Sequence, residues 1–256
     1  MLSIQEEFDM ELLIKSTLDQ TMQPSLFFAA KGNNRPLLVG LHTWSYDRFN
    51  QEKKLLPIAQ QYDYNLLLPE FRGVNKLKNP NRALACGSEY ARQDIKDAID
   101  YMIAEKNIDK ENIFLFGESG GGHMALMMAA YCPNYFKAIA ASVPISNLIQ
   151  WAEEREEYRI DIFACCGEDP VEIAKRSPIS YIEKIAKANL KIFHGKYDPV
   201  VPVKQSIALF NRITEVHPEA RVYLDVFDGG HETDMITVFH WLQSQYNQDS
   251  KVAVTG

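Results

Sequence analysis

The chain has 256 residues, of which 46% are hydrophobic and 24% are charged, a composition typical of a soluble globular protein. Its 27 Lys and Arg against 34 Asp and Glu give a formal net charge of −7. A chain this acidic, without an extended basic cluster, is a poor ligand for a phosphate backbone. We therefore expect no nucleic acid partner.

The sequence contains no candidate membrane span and no candidate secretory signal. The longest uninterrupted apolar stretch runs from Met124 to Cys132 and is far shorter than the roughly 20 residues that a spanning helix needs. The N-terminal sequence from Met1 to Asp9 is acidic where a secretory signal would be basic and then apolar. We expect a cytoplasmic protein that has no membrane partner.

Metal and cofactor motifs are missing from the sequence. The cysteines form no C-x-x-C pair, and neither an H-E-x-x-H zinc motif nor a G-x-x-x-x-G-K-[ST] phosphate loop occurs. We predict that the protein uses no metal and no organic cofactor.

Short β-rich runs alternate with helical stretches along the chain. The apolar pattern predicts strands at Leu12–Leu18, Ser25–Lys31, Pro36–His42, Tyr64–Pro69, Asn112–Phe116, Ala138–Val143, Leu190–Phe193 and Val222–Phe227. Helical periodicity predicts a helix capped by Ser88 and others at Met124–Tyr131, Val203–Ile213 and Thr233–Tyr246. This alternation predicts one α/β domain over residues 1–256, with a mostly parallel central sheet flanked by helices.

One long connection interrupts this alternation. Residues 144–187 separate two predicted strands, and a connection of that length is typical of a cap or lid. Within it, the Glu-rich run from Trp151 to Tyr158 is interpreted as a solvated helix face rather than a recognition element.

A serine motif indicates nucleophilic catalysis. Gly117-Glu118-Ser119-Gly120-Gly121 is a G-x-S-x-G sequence that follows an apolar strand and precedes a helix. The two outer glycines allow a tight turn that exposes Ser119, and amides at the helix N-terminus can stabilise an oxyanion. A glycine-rich structural turn is the alternative interpretation.

A serine nucleophile needs a base and an orienting carboxylate, and candidates for both follow later strands. Asp198 lies in the loop after one predicted strand, and His231 lies in a Gly-rich loop after the next. The order serine, acid, histidine matches that of the α/β-hydrolase triad. Three nearby carboxylates remain alternatives for the acid: Asp225, Asp228 and Asp234.

These motifs resemble those of α/β-hydrolases in the prolyl-oligopeptidase-like or acetyl-esterase-like branch. The matches are Gly117–Gly121, His194–Pro202 and Gly229–His231, with weaker ones at Ser177–Tyr181 and Phe71–Gly73. The likeness extends from about residue 12 to residue 245 and implies the α/β-hydrolase fold. It also implies Ser119 as nucleophile, His231 as general base and then acid, and Asp198 as the residue that orients His231.

The resemblance also indicates the oxyanion donors. In the family one donor follows the nucleophile, here Gly120, and the other lies in a loop after an early strand, here Thr43 or Trp44. We expect Trp44 and Glu118 to line the substrate pocket, with simple core packing as the alternative for Trp44. The other histidines are interpreted as structural (His42, His194), near the site without reacting (His123), or surface and packing residues (His217, His240).

The predicted activity is hydrolysis of a small-molecule carboxylic ester through an acyl-enzyme. Prolyl oligopeptidases carry a large β-propeller, for which 256 residues leave no room, so a small esterase for short acyl groups is preferred. A peptidase for small peptides and a non-catalytic binding protein are the alternatives. The sequence does not distinguish a monomer from a homodimer.

Overall fold

The computed structural model describes the backbone of residues 9–252 and the side chains of residues 11–246. The acidic N-terminal stretch is outside the described residues except for its last member, Asp9, as are residues 253–256 of the predicted domain. The strands are β1 Asp9–Lys15, β2 Met22–Phe28, β3 Arg35–Leu41, β4 Asn65–Pro69, β5 Ile108–Glu118, β6 Ala138–Ser142, β7 Leu190–Gly195 and β8 Val222–Phe227.

These strands form one sheet with the order β1-β2-β4-β3-β5-β6-β7-β8. The pairs β1/β2 and β2/β4 are antiparallel, and every later pair is parallel. The carboxyl ends of β3, β5, β6, β7 and β8 therefore lie along one edge, where open α/β sheets place their sites.

Helices cover both faces of the sheet. They are α1 Glu52–Tyr62, α2 Glu89–Glu105, α3 Gly120–Tyr131, α4 Leu148–Ala152, α5 Glu156–Cys166, α6 Pro170–Lys175, α7 Ile182–Ile185, α8 Lys204–Val216 and α9 Met235–Val252. Apolar side chains of α2, α3 and α8 form the core on one face, and those of α1 and α9 form the core on the other. The predicted α/β architecture is confirmed.

Several predicted boundaries differ from the observed ones. Both strands of the first hairpin lie three residues earlier than predicted, because Leu18 belongs to the turn, where 43% of it is exposed. Helix α3 begins at Gly120 rather than Met124: tertiary packing overrides the low helix propensity of its three glycines. Ser88 caps α2 as predicted, accepting a hydrogen bond from the Ala91 amide.

Residues 144–187 contain α4 to α7 and a short 3-10 helix at Pro178–Tyr181. A third apolar cluster joins α4 and α5 to the loop after β3, with Trp44, Trp151, Tyr158 and Ile162 among its members. Across residues 9–252, no helix has both the length and the apolar character needed to cross a membrane.

Candidate active site

Ser119 occupies a sharp turn between β5 and α3. Its backbone has φ +56° and ψ −118°, a conformation that a non-glycine residue adopts only under constraint from its surroundings. The Ser119 amide donates to the Ser142 carbonyl at 2.9 Å. A Cβ added to Gly117 would lie 2.0 Å from the Gly121 carbonyl oxygen, so the first motif glycine is required by close backbone contact.

The three candidate triad residues meet at the carboxyl edge of the sheet. His231 Nδ1 lies 2.7 Å from Asp198 Oδ2, and His231 Nε2 lies 3.0 Å from Ser119 Oγ. A carboxylate oxygen only accepts hydrogen bonds, so the His231 proton is on Nδ1 when the ring is neutral. Nε2 is then free to accept the proton of the Ser119 hydroxyl.

The Asp198 carboxylate is surrounded by donors. Oδ1 accepts from the amides of Val200 at 2.8 Å and Val201 at 2.9 Å, and Oδ2 lies 3.4 Å from His194 Nε2. Burial raises the pKa of Asp198, but hydrogen bonds from His194, His231 and Val201 outweigh it and lower the pKa below its ordinary value. Asp198 therefore stays ionised and keeps His231 oriented.

The alternative acids have other positions. Asp225 pairs with Lys191 at 3.1 Å, Asp234 accepts from the amides of Ile236 and Thr237, and Asp228 is exposed. Among these carboxylates, Asp198 is the one within hydrogen-bond distance of His231.

The backbones of Trp44 and Gly120 lie in close contact beside Ser119. A Cβ added to Gly120 would lie 2.4 Å from the Trp44 nitrogen, so the loop after β3 closely approaches the start of α3. The Thr43 amide donates to Asn50 Oδ1 at 3.0 Å, whereas neither the Trp44 nor the Gly120 amide bonds to any residue that the structure describes. Of the two predicted loop donors, Trp44 is therefore the one available to a substrate oxygen.

A cavity of about 320 Å³ lies above Ser119 and His231. Trp44 meets Trp151 edge to face at 5.0 Å, and Trp151 stacks on Tyr158 at 4.2 Å. The Trp151 indole donates to the Val200 carbonyl at 2.9 Å, which fastens α4 to the loop that carries Asp198. The cavity therefore has an aromatic wall next to the serine, and Trp44 belongs both to this wall and to the apolar cluster.

Two ion pairs line the same cavity. Lys54 Nζ lies 2.5 Å from Glu118 Oε2, and Lys76 Nζ lies 2.6 Å from Asp161 Oδ2. Both carboxylates are nearly covered by protein, and both ammonium groups are partly exposed. Each charge is therefore paired, and Glu118 lines the cavity.

The interpretation of the run from Trp151 to Tyr158 as a solvated helix face is wrong at both ends. Trp151 is 3% exposed and Tyr158 is 9% exposed, and both line the cavity. The run is not one helix, because α4 ends at Ala152 and α5 begins at Glu156. The charged residues 153–157 are exposed, whereas Trp151 packs against Trp44 and Tyr158 stacks on Trp151.

His123 is fully buried next to Trp44, with 6.2 Å between the centroids of the two rings. Its Nε2 donates to the Arg176 carbonyl at 2.7 Å, and its Nδ1 has no partner among the described residues. Burial lowers the pKa of His123 to about 4, although the bond to Arg176 opposes this effect. Protonation of His123 would place an unpaired Nδ1–H in the core, so the ring is neutral in the folded protein.

This burial predicts a pH dependence of stability. Between pH 6.5 and about 4, unfolded His123 binds a proton that the folded form rejects, so the free energy of unfolding decreases as the pH falls. The decrease due to this residue is on the order of 3 kcal/mol. Urea unfolding across this range should show a weaker pH dependence for His123→Gln than for the wild type. The exposed His240 supplies the control, and equal slopes for His123→Gln and His240→Gln would contradict the assignment.

Within residues 9–252, no three His, Cys, Asp or Glu side chains come close enough together to hold a metal ion.

Comparison with known proteins identifies the family. A model of the prolyl oligopeptidase family matches residues 88–253, which include Ser119, Asp198 and His231. The chain belongs to this family. Acylamino-acid-releasing enzyme 1 of Oryza sativa subsp. japonica is 27% identical over 206 residues, which cover 73% of this chain and 26% of that enzyme. The chain spans about a quarter of the length of the acylamino-acid-releasing enzymes that it matches.

Solved structures share the fold of this prolyl oligopeptidase family chain. The Pyrococcus horikoshii acylaminoacyl peptidase matches with a TM-score of 0.77 and 20% identity, over 94% of this chain and 41% of that chain. An esterase of Pyrococcus furiosus matches with a TM-score of 0.69 and 16% identity, over 95% of this chain and 91% of that chain. The chain has the α/β-hydrolase fold.

Several cavity residues of this prolyl oligopeptidase family chain have no motif in the sequence. They are Asn50, Lys54, Lys76, Trp151, Tyr158 and Asp161. A signal was available for two of them, because Trp151 and Tyr158 are large aromatic residues in a long connection at the carboxyl edge of the sheet. Nothing local marks the others, which reach the cavity through tertiary packing.

Proposed function

We propose that the protein is a serine hydrolase that cleaves carboxylic esters of short acyl groups through an acyl-enzyme. The observation that carries the proposal is the hydrogen-bonded line from Ser119 Oγ to His231 Nε2 at 3.0 Å and from His231 Nδ1 to Asp198 Oδ2 at 2.7 Å. This chain of hydrogen bonds makes the serine hydroxyl nucleophilic, because the histidine accepts the hydroxyl proton as the serine oxygen bonds to the carbonyl carbon.

In the first half-reaction, Ser119 Oγ attacks the substrate carbonyl carbon and its proton passes to His231 Nε2. The carbonyl oxygen becomes an oxyanion, which the amides of Trp44 and Gly120 stabilise. When the intermediate collapses, His231 gives the proton to the leaving alcohol and the acyl group remains on Ser119. Asp198 keeps the ring in place and stabilises its charged form throughout.

In the second half-reaction, water takes the place of the alcohol. His231 accepts a proton from the water as its oxygen attacks the acyl carbon, and a second oxyanion forms at the same two amides. His231 then returns a proton to Ser119 Oγ, and the carboxylic acid leaves. Each proton that His231 accepts is given back, so the free enzyme is regenerated.

The cavity walls support an apolar acyl group of limited length. Trp44, Trp151 and Tyr158 form an aromatic surface beside Ser119, and burial of apolar groups against it favours binding. The ion pairs Lys54–Glu118 and Lys76–Asp161 bound the cavity with polar groups, which disfavours a long acyl chain. These walls support an ester with a short acyl group as the substrate.

The competing proposal is a peptidase that acts on small acylated peptides. It is supported by family membership and by the similarity to acylamino-acid-releasing enzyme 1. Its chemistry uses the same residues, but His231 then protonates an amine as it leaves. The cavity could hold a side chain in place of an acyl chain, so substrate comparison is the experiment that separates the two.

The test is a substrate panel on the purified protein. We expect 4-nitrophenyl acetate and butyrate, and the corresponding ethyl esters, to be hydrolysed with a higher kcat/KM than N-acetylaminoacyl 4-nitroanilides. The ethyl esters serve as the control for the high intrinsic reactivity of nitrophenyl esters. A higher kcat/KM for the anilides than for the ethyl esters would replace the esterase proposal by the peptidase. A folded protein that binds these compounds without hydrolysing them would support the non-catalytic alternative.

A further inference from the structure

The oxyanion loop, residues 42–46, has its neighbouring backbone groups held in place. The Thr43 amide donates to Asn50 Oδ1 at 3.0 Å, and the Thr43 carbonyl accepts from the Tyr46 amide at 3.5 Å. The Trp44 carbonyl accepts from the Asn75 amide at 2.8 Å. Between these fixed groups, the Trp44 amide is left without an acceptor among the described residues.

Asn50 is itself held firmly. It lies in a short 3-10 helix, Arg48–Gln51, in which Asp47 caps the first turn by accepting from the Phe49 amide at 3.2 Å. The Asn50 amide donates to the Asp47 carbonyl at 3.0 Å, and Gln51 Nε2 donates to Asn50 Oδ1 at 3.3 Å. The bond from Gln51 also requires an acceptor, so the oxygen of the Asn50 side chain, rather than its NH₂ group, is directed at Thr43.

We propose that Asn50 is a positioning residue that aims the Trp44 amide at the substrate oxyanion. The proposal rests on the proposed function, because it assigns the Trp44 amide to transition-state stabilisation. The peptide bond between Thr43 and Trp44 is planar, so the direction of the Trp44 N–H depends on the torsions at Thr43. The bond from Asn50 fixes the plane of the peptide that precedes Thr43, and this plane is the reference from which the Thr43 torsions set the direction of the Trp44 N–H.

The direction of the Trp44 amide matters because Gly120 lies next to it. The Trp44 nitrogen is so close to Gly120 that a Cβ there would lie 2.4 Å away, so the two amides can share one oxygen. Rotation of the Thr43–Trp44 peptide would turn the Thr43 carbonyl, instead of the Trp44 N–H, toward the substrate oxyanion. The hydrogen bond to the oxyanion would then be replaced by repulsion between two oxygens. Electrostatic stabilisation of an oxyanion depends on donors that are already oriented before the reaction, and Asn50 supplies that orientation without touching the substrate oxygen.

The test compares Asn50→Leu with a matched variant far from the site. Leu is close to Asn in shape but cannot accept the Thr43 amide, so we expect kcat to fall about 10- to 100-fold with KM changed less than about threefold. Asn65 likewise accepts a backbone amide, that of Ala30 at 3.0 Å, and is buried. Asn65→Leu should lose stability in the same way but keep kcat within about twofold of the wild type.

A transition-state mimic supplies the second readout. A phenylethyl trifluoromethyl ketone forms an oxyanion when a serine adds to it, so its Ki for Asn50→Leu should rise by the same factor by which kcat/KM falls. Asn50→Ala, which leaves room for a water to accept the Thr43 amide, should show a smaller loss. If Asn50→Leu does not fold, Asn50→Ala is compared with the wild type in its place.

The outcomes separate this proposal from the proposed function. If the wild type hydrolyses esters while Asn50→Leu, or Asn50→Ala in its place, keeps both kcat and the Ki of the ketone, the positioning role is overturned and the proposed function stands. Equal losses of kcat in Asn50→Leu and Asn65→Leu would also overturn it. A folded wild type without hydrolase activity overturns the proposed function and this proposal together.

Discussion

Ser119→Ala should lower kcat for ester hydrolysis by about 10⁶-fold, since the variant loses the atom that bonds to the acyl carbon. A residual rate above that in water should persist, because binding and the two oxyanion amides remain in place. The measurement is steady-state hydrolysis of 4-nitrophenyl butyrate by the wild type and the variant. Circular dichroism would establish that both proteins are folded.

Ser180→Ala is the matched control for this substitution. Ser180 is exposed and lies outside the cavity, so its loss should leave kcat within about twofold of the wild type. If Ser119→Ala also kept most of its activity, another nucleophile would be responsible, and the assignment of the G-x-S-x-G turn would be wrong.

Asp198→Asn should lower kcat by about 10⁴-fold while changing KM little. The Asp198 side chain accepts hydrogen bonds from the amides of Val200 and Val201 and from His231. An asparagine has one acceptor oxygen and one NH₂ group, so at least one of these donors would face another donor. If the NH₂ group faces His231 Nδ1, it favours the tautomer with the proton on Nε2, which cannot accept a proton from Ser119.

Asp228→Asn is the control for this prediction and tests the choice of acid. Asp228 is three residues from His231 in the sequence but is exposed. We expect its substitution to change kcat less than about twofold. A large loss in Asp228→Asn together with a small loss in Asp198→Asn would show that the hydrogen bond from His231 to Asp198 does not carry the function.

The catalytic candidates were predictable because each lies in a local motif at a strand end. The turn at Ser119 requires glycines on both sides, which leaves a recognisable five-residue pattern, and the loops of Asp198 and His231 follow short apolar runs. Parallel strands bring their carboxyl ends to one edge whatever the loops contain. The positions of the three residues at strand ends, together with their chain order, therefore predicted one site at this edge.

Features that depend on tertiary packing were not predictable in the same way. The Glu-rich composition around residues 153–157 concealed the buried ring of Tyr158, which stacks on Trp151 and lines the cavity. The preference for Trp44 over Thr43 as oxyanion donor depends on Asn50, whose side chain takes up the Thr43 amide. No periodicity or motif records a hydrogen bond of that kind.

The helix after Ser119 illustrates the same limit in local structure. Three consecutive glycines disfavour a helix by intrinsic propensity, so the pattern placed its start at Met124. In the folded chain, α3 begins at Gly120, and a Cβ at any of the three glycines would lie within 3 Å of neighbouring backbone. The three glycines that disfavour a helix by propensity are thus the residues that allow close backbone contacts at the site.

The account depends most directly on whether Ser119 is an activated nucleophile. Intact-mass analysis after exposure to a fluorophosphonate tests this, because the reagent needs a reactive serine and oxyanion donors but little substrate specificity. We expect one adduct on the wild type, located by peptide mapping at Ser119 and missing from Ser119→Ala. A folded wild type that forms no adduct, or forms it at another residue, would contradict the account.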